Sequence, residues 1–384
     1  MGDTHIVVCE ARTHGGSGRK PTVCRHWQST GTNQKESPPQ TQNVSWLNKR
    51  GRPGLRKPAI LFFKPDAPLP LPPLASPGPL CYNGRKLPKG VVNMIYERSN
   101  RRFTARVDSL GAQLLSLQDA SGFEYIWRGD EAYWREHAPV LFPIVGALRQ
   151  GKSRINGQWY EMARHGFAKR CQFALAGQTE DSISLRLTPS QETRAQYPFD
   201  FAFTVDYTLT EEGVSTRFTV ENPGSRPLPF AVGGHPGFSV PVNEDAAFED
   251  YIIRFDSPEE QACPVIDLQA GLIDWDKEGF RLTGSEIPLR HSLFYQDALV
   301  FEGLRSHTVQ IVNPKTGKGV EMDFSGFPML GVWSAVNDGP YVCLEPWTGC
   351  ATLTSEGDEF TEKKGMTMLP PGERAVYGFA VRVL

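Results

Sequence analysis

"FAFTVDYTLTEEGVSTRFTV", residues 201–220, decides the fold class. Apolar or small residues fall on every second position: Phe201, Phe203, Val205, Tyr207 and Leu209, then Val214, Thr216, Phe218 and Val220. Successive side chains of a strand point to opposite faces, so this period of two reads as two strands, each with one buried face. "EEG" (Glu211–Gly213) interrupts the pattern and turns the chain, which makes the whole an antiparallel hairpin. The same theme recurs at Ser182–Thr188, across "HTVQIVNPKTGKGVEMDF" (His307–Phe324) and at Tyr377–Leu384. "INGQWY" (Ile155–Tyr160) carries Asn-Gly, the signal of a tight primed turn. No stretch holds helical apolar spacing for three turns. The expectation is an all-β protein, a large antiparallel sandwich or barrel of roughly 290 residues. Two stacked sheets of this kind can hold a ligand on one concave face.

Strand patterning begins at Met94, in "MIYERSNRRFTARVDSLGAQ". Before it, residues 1–93 hold 13 of the 31 prolines, 14 of the 41 Lys and Arg, and 4 of the 43 Asp and Glu. The tail therefore carries about +10, while the remaining 27 basic and 39 acidic residues give the rest of the chain about −12. "PDAPLPLPPLASPGPL" (Pro65–Leu80) leans to polyproline II and has no hydrophobic period that would bury a face. Residues 1–93 are expected to be a disordered basic tail. A misassigned upstream reading frame ahead of a natural start at Met94 explains them better than a transit peptide, since Asp3 and Glu10 lie near the start and no amphipathic helix follows. Residues 94–384 are expected to form one domain.

The acidic body argues against a nucleic-acid partner, whose binding rests on neutralising phosphates with Lys and Arg. Seven cysteines (Cys9, Cys24, Cys81, Cys171, Cys263, Cys343 and Cys350) form no CxxC pair and no zinc-spaced cluster. Such a scattered set points to free thiols in a reducing compartment, hence a cytoplasmic location. No apolar run approaches the ~20 residues of a membrane span, and no secretory signal is seen. The Asn43-Val-Ser sequon is read as chance. There is no P-loop, no GxGxxG after a strand, no HExxH and no GxSxG elbow, so neither nucleotide nor metal cofactor is expected.

Three short stretches depart from the strand pattern. "VLFPIVGALRQGK" running on to "RHGFAKR" offers Arg149 and His165; "GGHPGF" offers His235; "VCLEPWTGC" offers Glu345. A lone loop histidine is more often structural than catalytic. Glu345 is harder to dismiss, because a carboxylate between Leu344 and Pro346-Trp347 should be partly buried, and burying an unpaired charge is costly. Trp347 and Phe238 read equally as core aromatics or as flat apolar platforms for the C–H faces of a sugar. A carboxylate and an imidazole that trade protons near neutral pH make a general base and general acid.

"HAPVLFPIVGAL", "HGFA", "GGHPGF", "FEDYIIRFD", "DALVFEGLRS" and "GVWSAVNDGPYVCLEPWTG" resemble, in order, the successive motifs of the aldose 1-epimerase (galactose mutarotase) family, most closely its LacX-like branch. The resemblance spans about Met94 to Leu384. It implies a β-supersandwich and interconversion of the α and β anomers of a free aldose without a cofactor. On that resemblance His235 is the general acid for the ring oxygen and Glu345 the general base for the C1 hydroxyl. His165 hydrogen-bonds the sugar, and Arg149 and Asp297 are its further polar contacts. The glycines of "GGHPGF" are read as giving the sugar room, and kcat/KM as bell-shaped, with Glu345 setting the acidic limb and His235 the basic one. The expected partner is a small sugar, with no nucleic acid and no membrane, and the chain is expected as a monomer or homodimer. A hexose-6-phosphate mutarotase of the same fold is the alternative, with Arg164, Lys169 and Arg170 as phosphate ligands or as ordinary surface charges. A sugar-binding module without catalysis is a second alternative; it needs neither an acid nor a base. A glycoside hydrolase would want two facing carboxylates, and only Glu345 is a strong candidate.

Overall fold

The computed structural model describes residues 93–242 and 246–384. The expected disorder of the tail lies outside the described residues, apart from Asn93. The hairpin that decides the fold class forms as its alternation requires. Strands Ala202–Leu209 and Gly213–Glu221 run antiparallel with Leu209 opposite Val214 and Val205 opposite Phe218. Phe203, Val205, Tyr207, Val214, Phe218 and Val220 are buried, while Arg217 on the other face is exposed.

Around this hairpin the larger sheet runs, in spatial order, Ile273–Pro288, Ile252–Ile266, Thr308–Val312, Gly319–Asp323, Arg374–Val383, Gly213–Glu221, Ala202–Leu209, Ser182–Leu187 and Ala174–Gln178. Each neighbouring pair in this order is antiparallel. The Asn-Gly turn is also found: Ile155 pairs with Gln158, and Asn156 and Gly157 both have positive φ, 50° and 80°, as a type I′ turn requires. The one α-helix among the described residues, Gln191–Gln196, is capped by Ser190, whose hydroxyl accepts the Thr193 N–H at 3.2 Å.

A second sheet is ordered Leu299–Glu302, Met329–Trp333, Tyr341–Trp347, Gly233–Gly234 and Val140–Leu141, with Gly237–Ser239 also pairing to Tyr341–Trp347. The two sheets share one core. Phe142 stacks on Phe203 with centroids 4.5 Å apart, and Phe255 meets Phe301 edge-on at 5.5 Å. Along the central strand Val342 and Leu344 point into that core, so Tyr341, Cys343, Glu345 and Trp347 take the opposite face. The neighbouring strand repeats the division: Leu330 and Val332 face the core, while Met329, Gly331 and Trp333 share the face of Glu345. This second face floors a cleft of about 670 Å³.

Cys263, Cys343 and Cys350 are buried free thiols, whereas Cys171 is not free. No helix among the described residues is long and apolar enough to cross a membrane.

Candidate active site

Period-two geometry places Glu345 in the cleft and the sheet keeps it from water. Its carboxylate is 2 % exposed. His235 comes from the link between the short strands Gly233–Gly234 and Gly237–Ser239, where its N–H donates to Pro139 O at 3.1 Å and Pro236 O accepts the Leu344 N–H at 3.2 Å. His235 Nε2 stands 3.2 Å from Glu345 Oε2. The two are close but not aligned as a hydrogen bond, for Glu345 Oε2 and His235 Nδ1 are both buried without a hydrogen-bond partner. Unsatisfied polar atoms at this depth are rare and call for an explanation. The His235 ring stacks on Trp134 at 5.0 Å and meets Trp333 edge-on at 5.6 Å, which fixes its plane.

Burial sets the proton inventory. It holds the Glu345 carboxyl well above its usual range, with the Asp297 charge adding and the Trp347 N–H, Arg164 and Lys169 opposing. Burial also lowers His235, to about 3, with Lys169 and Arg164 contributing. A proton shared by the pair therefore rests on the Glu345 carboxyl rather than on the His235 imidazole.

His165 reaches the same cleft, its ring 5.5 Å from that of His235 and perpendicular to it. Its backbone is left-handed, φ 68°, an uncommon state for a non-glycine residue. A reciprocal pair of bonds holds it there. The His165 N–H donates to Gly146 O at 2.8 Å, and the Gly146 N–H donates to His165 Nδ1 at 3.1 Å. With Nδ1 accepting, and the ring kept neutral by burial and by the neighbouring His235, Lys169 and Arg164, the ring proton sits on Nε2. His165 is thus a fixed donor.

Asp297 lines the cleft, also with positive φ, 75°, and its Oδ2 lies 3.7 Å from Arg164 Nη1. Lys169 lines it as well and pairs with Glu136 at 3.0 Å. Trp347 lines it too. Two expected members do not. Arg149 turns away: its Nη2 donates to Leu353 O at 2.8 Å and Glu356 O at 2.9 Å, and its Nε lies 3.4 Å from Asp358. That guanidinium anchors the loop after the Glu345 strand, and the cleft arginine is Arg164. Phe238 is 1 % exposed in the shared core. It is three residues from His235 along extended backbone, a parity that points the two to opposite sides.

The glycines of "GGHPGF" make room for rings rather than for a sugar. A Cβ on Gly233 would stand 2.7 Å from Trp347 Cδ1, one on Gly234 2.7 Å from Phe379, and one on Gly237 3.0 Å from Trp134. Gly331 completes the arrangement from the other side, where a Cβ would lie 2.6 Å from the Trp347 ring. Trp347 thus lies between two strands that lack side chains beneath it. Sequence reading missed the indoles of Trp134 and Trp333. Trp333 shares parity with Gly331, but the link from Gly331 to Glu345 is visible only in the strand register; Trp134 sits in a loop that carries no period.

His235, Cys343 and Glu345 are the one set among the described residues whose donor atoms, within 4.8 Å of one another, could surround a metal ion. The fit is poor, because burial raises the Cys343 thiol well above its ordinary value, so the set offers a thiol rather than a thiolate.

A sandwich of two antiparallel sheets with a polar-floored, aromatic-walled cleft places the chain in the galactose mutarotase-like class. Two solved structures share it: a galactose mutarotase related enzyme from Lactobacillus acidophilus (TM-score 0.73, 32% identity, 76% of this chain and 97% of that one) and a galactose mutarotase-like protein from Lactobacillus casei (TM-score 0.70, 28% identity, 76% and 100%). The chain belongs to the aldose 1-epimerase family, whose model matches residues 94–379. It is 33% identical over 298 residues, 76% of this chain and all of the relative, to the plasmid-borne protein LacX of Lactococcus lactis.

Proposed function

We propose that the protein is a mutarotase that interconverts the anomers of a free aldose, with Glu345 and His235 as the proton-transferring pair. One observation carries the reading: a carboxylate and an imidazole 3.2 Å apart, buried, each with an unsatisfied atom, on the floor of an open cleft. Each half-reaction takes one proton from the sugar and returns one to it, so the pair's own proton count is unchanged. With the shared proton on His235, Glu345 takes the hydrogen from O1, the C1–O5 bond breaks as C1=O1 forms, and His235 gives its proton to O5. The pair then stands in the acid and neutral-imidazole form that burial favours. Rotation about C1–C2 presents the other face of the carbonyl, and the same transfers in reverse close the ring. His165 Nε2–H is placed to hold a sugar oxygen while this happens, as a positioned donor must be.

A neutral sugar suits the cleft better than a phosphorylated one. Arg164 and Lys169 each already face a carboxylate, Asp297 and Glu136. A phosphate dianion would have to displace one of them. The test is anomer exchange by NMR in deuterated water, on a panel of free and 6-phosphorylated aldoses. Fast exchange of free aldoses with C1–H and C2–H unlabelled is expected, because ring opening breaks no C–H bond. Deuterium at C2 would show an enediol mechanism, and binding without exchange would leave a sugar-binding module as the better reading.

A further inference from the structure

Among the described residues one lysine or arginine is buried, Lys363. It takes no part in the proton transfers. Lysine is almost never buried without a partner, because its ammonium loses its water there. The Lys363 side chain is 3 % exposed, and burial lowers its pKa, with the Glu356 charge opposing. The adjacent Lys364 shows the ordinary arrangement: it is partly exposed, pairs with Glu302 at 3.0 Å and sets its ammonium over the Trp275 ring.

What Lys363 touches lies behind the cleft wall. Its Nζ donates to Thr352 Oγ1 at 2.6 Å and stands 4.0 Å from Glu356 Oε2. Glu356 closes the same loop on itself: Oε2 accepts the Leu353 N–H at 2.9 Å, and Oε1 accepts the Lys364 N–H at 2.5 Å. Thr352 in turn is tied to two residues that line the cleft. Its N–H donates to Ala147 O at 2.9 Å, and its carbonyl accepts the Ile273 N–H at 3.1 Å. Ala351 lies so near Gly146 that a Cβ on that glycine would stand 2.5 Å from the Ala351 Cβ. Gly146 is the residue whose carbonyl and N–H bond the backbone and the ring of His165. One ammonium thus ends a chain of contacts that runs through Thr352, Ala351 and Gly146 to the donor in the cleft.

Resting on the mutarotase reading, we infer that Lys363 is a positioning residue: it clamps the segment 350–356 onto Gly146 and Ala147 and so holds His165 in the orientation it offers to the sugar. His165 needs such support, because a left-handed backbone in a non-glycine residue persists only where the surroundings over-determine it. A charged donor suits the task. Its hydrogen bond is stronger than a neutral one and directional, which apolar packing in the same space is not.

The test uses the full-length protein. Lys363→Met fills the space without a donor, and Thr352→Val keeps the shape without the acceptor. Each should raise KM for whichever aldose is turned over best by about threefold to tenfold, the loss of one hydrogen bond to the sugar, and leave kcat within about twofold. The two together should raise KM no further than either alone, because both remove the same contact. The imidazole nitrogen NMR signals of His165 should move in all three variants, since the Gly146 N–H no longer meets Nδ1 as before. A residue that only stabilises the loop would lower Tm and leave KM and these signals alone. Unchanged KM, or His165 signals that stay in place, in Thr352→Val would overturn the inference even if Lys363→Met does not fold. A protein that turns over no aldose would remove the mutarotase reading, and the His165 signals would still decide the role of Lys363.

Discussion

Glu345 and His235 are each held in the protonation state opposite to the one a base and an acid need, and the consequences are measurable. Removing either should cost about 10²–10⁴-fold in kcat, the usual contribution of a general acid or base. His235→Asn combined with Glu345→Gln should lose far less than the product, because groups that act as a unit are not additive. Stability should move the other way for Glu345. A carboxyl whose folded pKa is raised above its ordinary 4.5 contributes fully below that value and loses its contribution as pH rises toward the folded one. Glu345→Gln should therefore melt no lower than wild type, with its advantage growing as pH rises above the ordinary carboxyl value. A Tm that falls with rising pH relative to wild type would show that the carboxylate is stabilised by something other than what faces it here. The pH–rate limbs also differ from the sequence expectation. The acidic limb should mark a second proton entering the pair, far below neutrality because His235 is lowered to about 3. The basic limb should mark loss of the pair's only proton, held high by Glu345. The limbs belong to the pair, and a kcat/KM profile that is flat through neutrality checks this. Glu345 was legible because a lone carboxylate among apolar neighbours has few bland explanations. Arg149 misled because nearness along the chain does not fix where a long side chain reaches: its guanidinium goes to the Leu353 and Glu356 carbonyls and leaves the cleft to Arg164.

At the scale of elements, period two was the readable signal and pairing between strands was not. The alternation of 201–220 and the Asn-Gly turn could be read because both are local. The second sheet is built from strands as short as Gly233–Gly234, which carry no period, so its composition became visible only through register. Register also explains why glycine sits opposite the catalytic candidate. Gly331 pairs with Glu345, and Gly233 pairs with Trp347, so the indole can lie across both strands. Gly331→Ala should push a methyl group into that ring. Overpacking of this kind typically costs about 1–3 kcal/mol, and the displaced indole should also raise the KM for sugar. Denaturant unfolding and tryptophan fluorescence check the prediction together; an alanine variant with wild-type stability and spectrum would mean that Trp347 is not held by the two bare strands.

For the whole molecule, the described residues form a core of their own. Its buried members run from Phe103 to Val381, and they join the larger sheet to the smaller one. The first described strand, Ile95–Ser99, pairs with Phe103–Asp108 along its whole length. Its entry is fixed locally: the Ser109 N–H donates to Met94 O at 2.9 Å, and the Met94 N–H donates to Ser109 Oγ at 2.8 Å. A chain that begins at Met94 keeps every one of these contacts, and a terminal amine can still donate to Ser109. It also sheds a segment whose charge, about +10, is opposite in sign to that of the body. We therefore predict that residues 1–93 are dispensable for folding and turnover. The shortened chain should unfold in one cooperative transition at the midpoint of the full-length protein, with unchanged kcat/KM for the best sugar. Met94 and Ile95 are the sensitive point, because both are exposed large apolar residues at the start of the domain. If the preceding residues cover them, the shortened chain should melt earlier or aggregate, and the domain boundary would then have to move upstream.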